Sequence, residues 1–431
     1  MNYKLSRYII PSVISMVLVG TYTNIDGFFI GNVMGDDGLA AINIVWPIVA
    51  FITSLGTGIG VGGSVILNNL RGQNDMYSAE EVKKTLLFLL FAIGLAASII
   101  FTFLYTPLLL VMGAEGEVLK YSKDYALIIC LGALFQIMGS GLVALLRNEQ
   151  KTYFSMVCCV IGLIVHLLLD ILLVEKYKIS GVAVSTVLSQ AVIMILSFFA
   201  LKTDKNVKLN KNYILPILKG STSPLGINFV PSVVLLFTNY FALAAGGTAG
   251  VSAYAVMSYA VYTFDYIYQG VCDGIQPIIS FSCGAGDIKN EKYALKVSAI
   301  ILLIFTAGFI LLTPLLIKFM PRLFAVSDDA MHMMKSGFII YAFSYPFKAT
   351  VKFVCSYFYS IEKTKISNLL IYIDPVFFTP VTLLILSKAF GMNGVWGSLT
   401  ASQILVALPG IIIFISFAID KYKKSLFNNK N

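Results

Sequence analysis

Charge is what this sequence is short of. Only 12% of its 431 residues are Asp, Glu, Lys or Arg, against 58% hydrophobic, and so few polar groups cannot coat a soluble domain of that size. The chain therefore reads as a polytopic, all-α integral membrane protein. Histidine is scarcer still, at two residues, which leaves little for histidine-based metal chemistry. No nucleophile elbow, HExxH pair, P-loop or haem-type pair occurs. An enzyme is thus disfavoured, no cofactor is called for, and the chain cannot energise transport by ATP itself. The six cysteines (Cys130, Cys158, Cys159, Cys272, Cys283 and Cys355) lie inside apolar segments without metal-site spacing, as small packing residues do. The N-terminal stretch does not read as a cleavable leader either. The first apolar segment follows Lys4 and Arg7, but it contains Pro11 and Asp26, runs long and lacks a small-residue cleavage site, so it reads as a retained helix.

What is abundant is apolar sequence in runs. Spanning hydrocarbon takes about 20 mostly apolar residues, and turns and charges divide the chain into twelve such segments. They lie near 7–30, 39–68, 84–111, 122–146, 153–174, 179–201, 222–245, 250–282, 295–317, 334–360, 367–388 and 394–419. The stretch GVAVSTVLSQ at 181–190 returns as GVWGSLTASQ at 394–403, about half a chain later. Pro11 and Pro224, Lys151-Thr152 and Lys363-Thr364, and Gly72 and Asp75 with Gly284 and Asp287, repeat at nearly the same spacing. The chain reads as one unit duplicated. Six helices per unit make the two halves parallel repeats, which is a transporter architecture. The expected division is 1–201 and 222–431, six helices each, joined by the polar connection 202–221 with a short amphipathic portion on the inner surface. Most of the 31 Lys and Arg fall on one side when the N-terminus is placed inside, which puts both termini in the cytoplasm of a multi-pass plasma-membrane protein. The net charge of +9 then serves orientation and anionic lipid, with no role for nucleic acid. The chain is read as a monomer whose surroundings are the bilayer.

A few polar residues break the apolar runs. Asp26 and Asp170 each lie the same distance past an inner boundary, roughly 28 Å up at 1.5 Å per residue. Thr186 is on the next helix back, so the three side chains can share one pocket. Intramembrane acids normally face a cavity or a partner and mark ion or proton paths. His166 precedes Asp170 by four residues, on the same helix face, where an imidazole could shuttle protons. The plainer alternatives are an Asp170 that snorkels to the interface just before Glu175, and a neutral His166 satisfied by a neighbouring helix. In the second half Asn239 stands opposite Asp26, and Thr379 and Leu383 stand where His166 and Asp170 would be, so the acidic site is not duplicated. That half instead carries Ser258, Tyr262, Asp265, Gln269, Asp273 and Gln276 on one helix face. A second stripe holds Tyr341, Tyr345, Lys348, Lys352 and Tyr359, with the lysines expected to pair with Asp265, Asp273 or Asp374. The stripes either lock helices together or line a substrate cavity in which Tyr262, Asp265, Gln269, Asp273, Gln276, Tyr345, Lys348 and Lys352 hold a lipophilic cation.

Several separated motifs, in order, resemble the multidrug and toxic compound extrusion family. They are Asp26 in NIDGFFIGNVMGDDGLAAINIVWP, GTGIGVGGSVILNNLRGQ at 56–73, the stretch from LLRNEQKT to LSQ that ends at Gln190, and GIQPIISFSCGAGD at 274–287. The likeness covers nearly the whole chain. It implies twelve helices in two six-helix bundles around a central V-shaped cavity, exporting drugs or toxic organic cations in exchange for protons or sodium. It also implies a cation site whose motif positions fall on Asp26, His166, Asp170 and Thr186. His166 departs from the family's asparagine. An imidazole is a poor sodium ligand, so protons are favoured over a sodium ion at Asp26 and Asp170. The alternative is a lipid-linked saccharide flippase of the same superfamily, which uses intramembrane cations to hold phosphates, as Lys348 and Lys352 could.

Overall fold

The computed structural model describes residues 5–324 and 326–428, and its described residues are helices and short connections. The helices are α1 (Ser6–Gly72), α2 (Met76–Val111), α3 (Gly116–Leu131), α4 (Ala133–Asn148), α5 (Thr152–Ala200) and α6 (Ile214–Gly284). They continue with α7 (Ile288–Leu323), α8 (Asp328–Ala342), α9 (Tyr345–Ser360), α10 (Thr364–Ile373) and α11 (Thr379–Asn428). Four of these are hairpins of two legs, because one residue in each leaves helical geometry: Gly35 in α1, Lys178 in α5, Gly247 in α6 and Gly391 in α11. All four have positive φ, between 51° and 65°, a conformation that glycine adopts without a Cβ clash. With these breaks, each apolar segment read from the sequence falls within one leg, to within a residue, or across a pair of helices separated by a bend, an interruption or, for 367–388, the turn Asp374–Phe378. Residues 122–146 are such a pair: α3 and α4 meet at 56°, at Gly132. Residues 334–360 are another, interrupted at Phe343–Ser344 just before Pro346 restarts the helix as α9. Proline has no N–H to continue the ladder but suits a first turn.

The repeat noted in the sequence is visible in the backbone. Asp75 and Asp287 both cap helices, accepting from Ser78 N and Asn290 N at 3.0 Å. Hydrogen bonding from the Ser78 hydroxyl, and then from its backbone N–H, holds the Asp75 carboxyl below its usual range. Gln150 and Glu362 both take positive φ, each just before a Lys-Thr pair. The connection between the halves is shorter than the polar 202–221 reading. Residues 214–221 are already the first turns of α6, with Ile217 and Ser221 buried. The remainder is strapped to the start of α2: Lys83 donates to Lys202 O at 2.9 Å, Lys84 donates to Val207 O, and Asn210 donates to Glu81 at 2.9 Å.

Buried apolar side chains form two large clusters, one drawn from 30–183 with Ile217, the other from 227–406 with Leu5 and Ile9. The most extensive helix–helix contact joins α1 to α6. Its tightest point is reciprocal. A Cβ on Gly72 would strike Phe281 O and Ala285 N, and one on Gly284 would strike Asn69 O, so only glycine lets these helix ends meet. Large side chains such as Phe103, Leu172, Phe199 and Leu311 point outward, 70% or more exposed. That exterior is stable only in hydrocarbon.

Candidate functional site

Two polar centres lie inside the bundle. In the first half, the first leg of α1 supplies Asp26, the first leg of α5 supplies His166 and Asp170, and its second leg supplies Thr186. The break at Lys178 folds Thr186 back beside His166. His166 Nε2 lies 3.0 Å from Asp26 Oδ1 and 3.4 Å from Thr186 Oγ1, and its Nδ1 lies 3.5 Å from Asp170 Oδ2. The imidazole therefore bridges two carboxylates, with Tyr22 edge-on to its ring at 4.8 Å. One ligand atom from each of Asp26, His166 and Asp170 falls within 4.8 Å of the others. The sequence-predicted set is thus brought together. The snorkelling reading of Asp170 is corrected: its side chain is 0% exposed and faces His166, since the helix continues past it to Tyr177. Beyond these contacts with the imidazole, Asp26 Oδ1, His166 Nδ1 and Asp170 Oδ2 have no further hydrogen-bond partner among the described residues, and Asp170 Oδ1 has none at all. Buried polar groups are nearly always bonded, so this cluster has unused capacity for a proton or a small cation. A cation would take its ligands from the Asp26 and Asp170 oxygens and the Thr186 hydroxyl.

The second centre is a cavity in the other half, whose wall includes Tyr262, Asp265, Tyr341, Lys348, Lys352 and Asp374. Lys348 Nζ pairs with Asp265 Oδ2 at 3.0 Å and lies 5.3 Å from the centre of the Tyr341 ring. Asp374, in the π turn Asp374–Phe378, accepts from Thr379 Oγ1 at 2.8 Å and from Gln403 Nε2 at 2.7 Å.

Four residues expected in this cavity lie outside its wall: Gln269, Asp273, Gln276 and Tyr345. The lower part of their helix is covered by the first leg of α1, where Gly270 and Gly274 let the backbones of Val13 and Ile9 come close. Gln269 donates to Asp273 at 2.8 Å and Gln276 to Ser280 at 3.2 Å. Tyr345 is buried against Phe264 and Tyr341. Asp273 is paired with an arginine, not with either lysine of the stripe. Arg147, at the end of α4, reaches it at 3.0 Å, both side chains nearly fully buried. The sequence reading passed over Arg147, Tyr341, Asp374 and Gln403 as site residues. Signals for three of them were there: Tyr341 stands in the second stripe, Asp374 is among the acids expected near the lysines, and Gln403 closes the repeated motif at 394–403.

Comparison with known proteins follows the same division. The MatE family model matches residues 11–172 and again 224–383. Among curated proteins, the chain is 21% identical over 423 residues to a multidrug export protein MepA from Staphylococcus saprophyticus, covering 94% of this chain and 92% of that protein. It is 24% identical over 430 residues to the MepA of Staphylococcus aureus, with the same coverage. Among solved structures, an outward-facing multidrug resistance MATE transporter of the MOP superfamily superposes with a TM-score of 0.90 at 20% identity, covering 97% of this chain and 96% of that one. A MOP superfamily transporter from Pyrococcus furiosus, whose binding pocket is described as of reverse polarity and suggesting a different function, gives a TM-score of 0.87 at 21% identity, covering 95% and 94%.

Proposed function

Since the chain belongs to the MatE family, a family of membrane transporters, we propose that it exports lipophilic organic compounds by antiport, coupled to protons through Asp26, His166 and Asp170. The carrying observation is the imidazole between two carboxylates. A neutral imidazole has one N–H to offer and a protonated one has two. The cluster therefore gains a second charge-assisted contact by taking a proton, and loses it on release. Sodium fits less well, because the imidazole fills the space between the carboxylates and is a poor ligand for that ion. Thr186 holds Nε2 and so the orientation of the ring. The distribution of Lys and Arg supports a reading with both termini in the cytoplasm. The flippase reading is weaker, because Lys348 is already paired with Asp265.

The test is uptake and release of ethidium in proteoliposomes. A proton gradient alone should drive export, whereas a sodium gradient at uniform pH should leave the dye at equilibrium. Equal rates under the two gradients would overturn proton coupling.

A further inference from the structure

We propose that the cavity of the second half is an acid-binding site, taking amphiphiles whose single carboxylate docks on Lys352; the idea rests on the exporter reading for its transport role, not for binding. Four charged side chains line the wall: Asp265, Lys348, Lys352 and Asp374. Three of them are matched. Lys348 has Asp265 at 3.0 Å, and Asp374 has a neutral donor on each oxygen. Lys352 has no such match. Its Nζ reaches only Gln269 Oε1, at 3.5 Å, among the described residues, the long limit of a hydrogen bond. The acid that could have neutralised it one turn below, Asp273, is taken by Arg147 on one oxygen and by Gln269 Nε2 on the other. Gln269 is thereby fixed with its amide oxygen, not a charge, toward the ammonium.

An ammonium inside the membrane is stable when an anion or a set of carbonyls accompanies it. Here the open side of Lys352 faces the cavity, so the anion is supplied by what enters. One unmatched ammonium suits a singly charged carboxylate. A diphosphate would need Lys348 as well, at the cost of leaving Asp265 without its partner. Apart from Ser258, Ser402 and Gln403, the rest of the wall is apolar and aromatic, with Tyr262, Val351 and Leu399 among its residues, which fits a flat hydrophobic body. A cationic group on the same ligand is accommodated by Asp374, so amphoteric compounds fit and simple cations lack the contact at Lys352.

The probe pair is rhodamine B, with a free carboxylate, and rhodamine B ethyl ester, in which that group is masked. Binding to the purified full-length protein in nanodiscs is read by fluorescence anisotropy. The acid should bind about tenfold more tightly, the worth of one charge-assisted contact. Lys352→Gln should abolish that preference by weakening the acid alone, and Lys352→Arg, which keeps the charge, should retain it. Equal affinity for the two dyes, an equal loss for both in Lys352→Gln, or no binding of either overturns the proposal. Failure of gradient-driven efflux for both dyes, with the binding preference intact, would instead remove the exporter reading and leave the acid site standing.

Discussion

At the scale of single residues, two substitutions separate the roles within the first cluster. Asp26→Asn keeps the volume and removes a titratable oxygen beside His166, so the ion no longer competes with the substrate-bound state. Coupling is a free-energy difference between two liganded states, and without its ion site that difference vanishes. Efflux driven by a proton gradient should fall by about tenfold or more, while the protein remains monodisperse with an unchanged helical circular dichroism spectrum. Normal gradient-driven efflux by this variant would dismiss Asp26 as the coupling group. His166→Asn tests the imidazole differently. It replaces the group between two carboxylates with an amide oxygen, a harder ligand better suited to sodium. Proton-driven efflux should slow and a stimulation by sodium should appear. Unaltered kinetics on both counts would mean that the ring only packs against Tyr22.

Among the elements, the hairpin break at Lys178 is the anomaly. The corresponding breaks at Gly35, Gly247 and Gly391 use glycine, but here a lysine takes φ 51° and ψ −130°, which for a residue with a Cβ costs about 1–3 kcal/mol. Lys178→Gly should relieve that strain and raise the thermal midpoint by a few degrees, at roughly 2–4 °C per kcal/mol for a chain unit of this size. A lowered midpoint, measured by scanning fluorimetry in detergent, would show that the lysine contributes more at this turn than its backbone loses. The same elements show what the sequence carried. Long apolar runs separated by glycine and charge are enough to locate the legs, since no other structure satisfies the backbone inside a bilayer. The Asp26, His166, Asp170 and Thr186 set was also legible, because depth along two helices and i,i+4 spacing place the groups without knowledge of packing. The stripe from Ser258 to Gln276 was read too far. Periodicity says which residues share a face but not what covers it, and the first leg of α1 covers the lower part through Gly270 and Gly274. The surroundings of Asp374 were illegible for another reason. A π turn over Asp374–Phe378 inserts extra backbone and changes the face on which Asp374 stands relative to the residues after it, and Gln403 comes to it from the other leg of the hairpin broken at Gly391.

Across the whole molecule, the two halves touch along α1 and α6 and are locked at one end. Arg147 of one half and Asp273 of the other form a buried ion pair, and about three turns further along α6 Gly284 packs on the backbone of Asn69, whose side chain donates to Glu362 across the same seam. Exchange of access between the two membrane faces requires this end to separate, since these contacts seal it. The pair is the strongest single tie by charge and the least tolerant of partial loss: removing one partner of a buried pair costs about 3–5 kcal/mol, because the other charge is left uncompensated. Asp273→Asn should therefore shift the molecule toward states in which Arg147 is wetted and the seam is open. Spin labels at Tyr77→Cys and Lys289→Cys, both exposed and at matching first turns of α2 and α7, report the separation, with the native cysteines replaced. With Asp273 intact the distance distribution should be narrow and short. In Asp273→Asn it should broaden and extend, and in the apolar double variant Arg147→Met with Asp273→Leu it should narrow again, since no charge is left to hydrate. An unchanged distribution in Asp273→Asn would show that the glycine contact and Asn69 close this end without the ion pair.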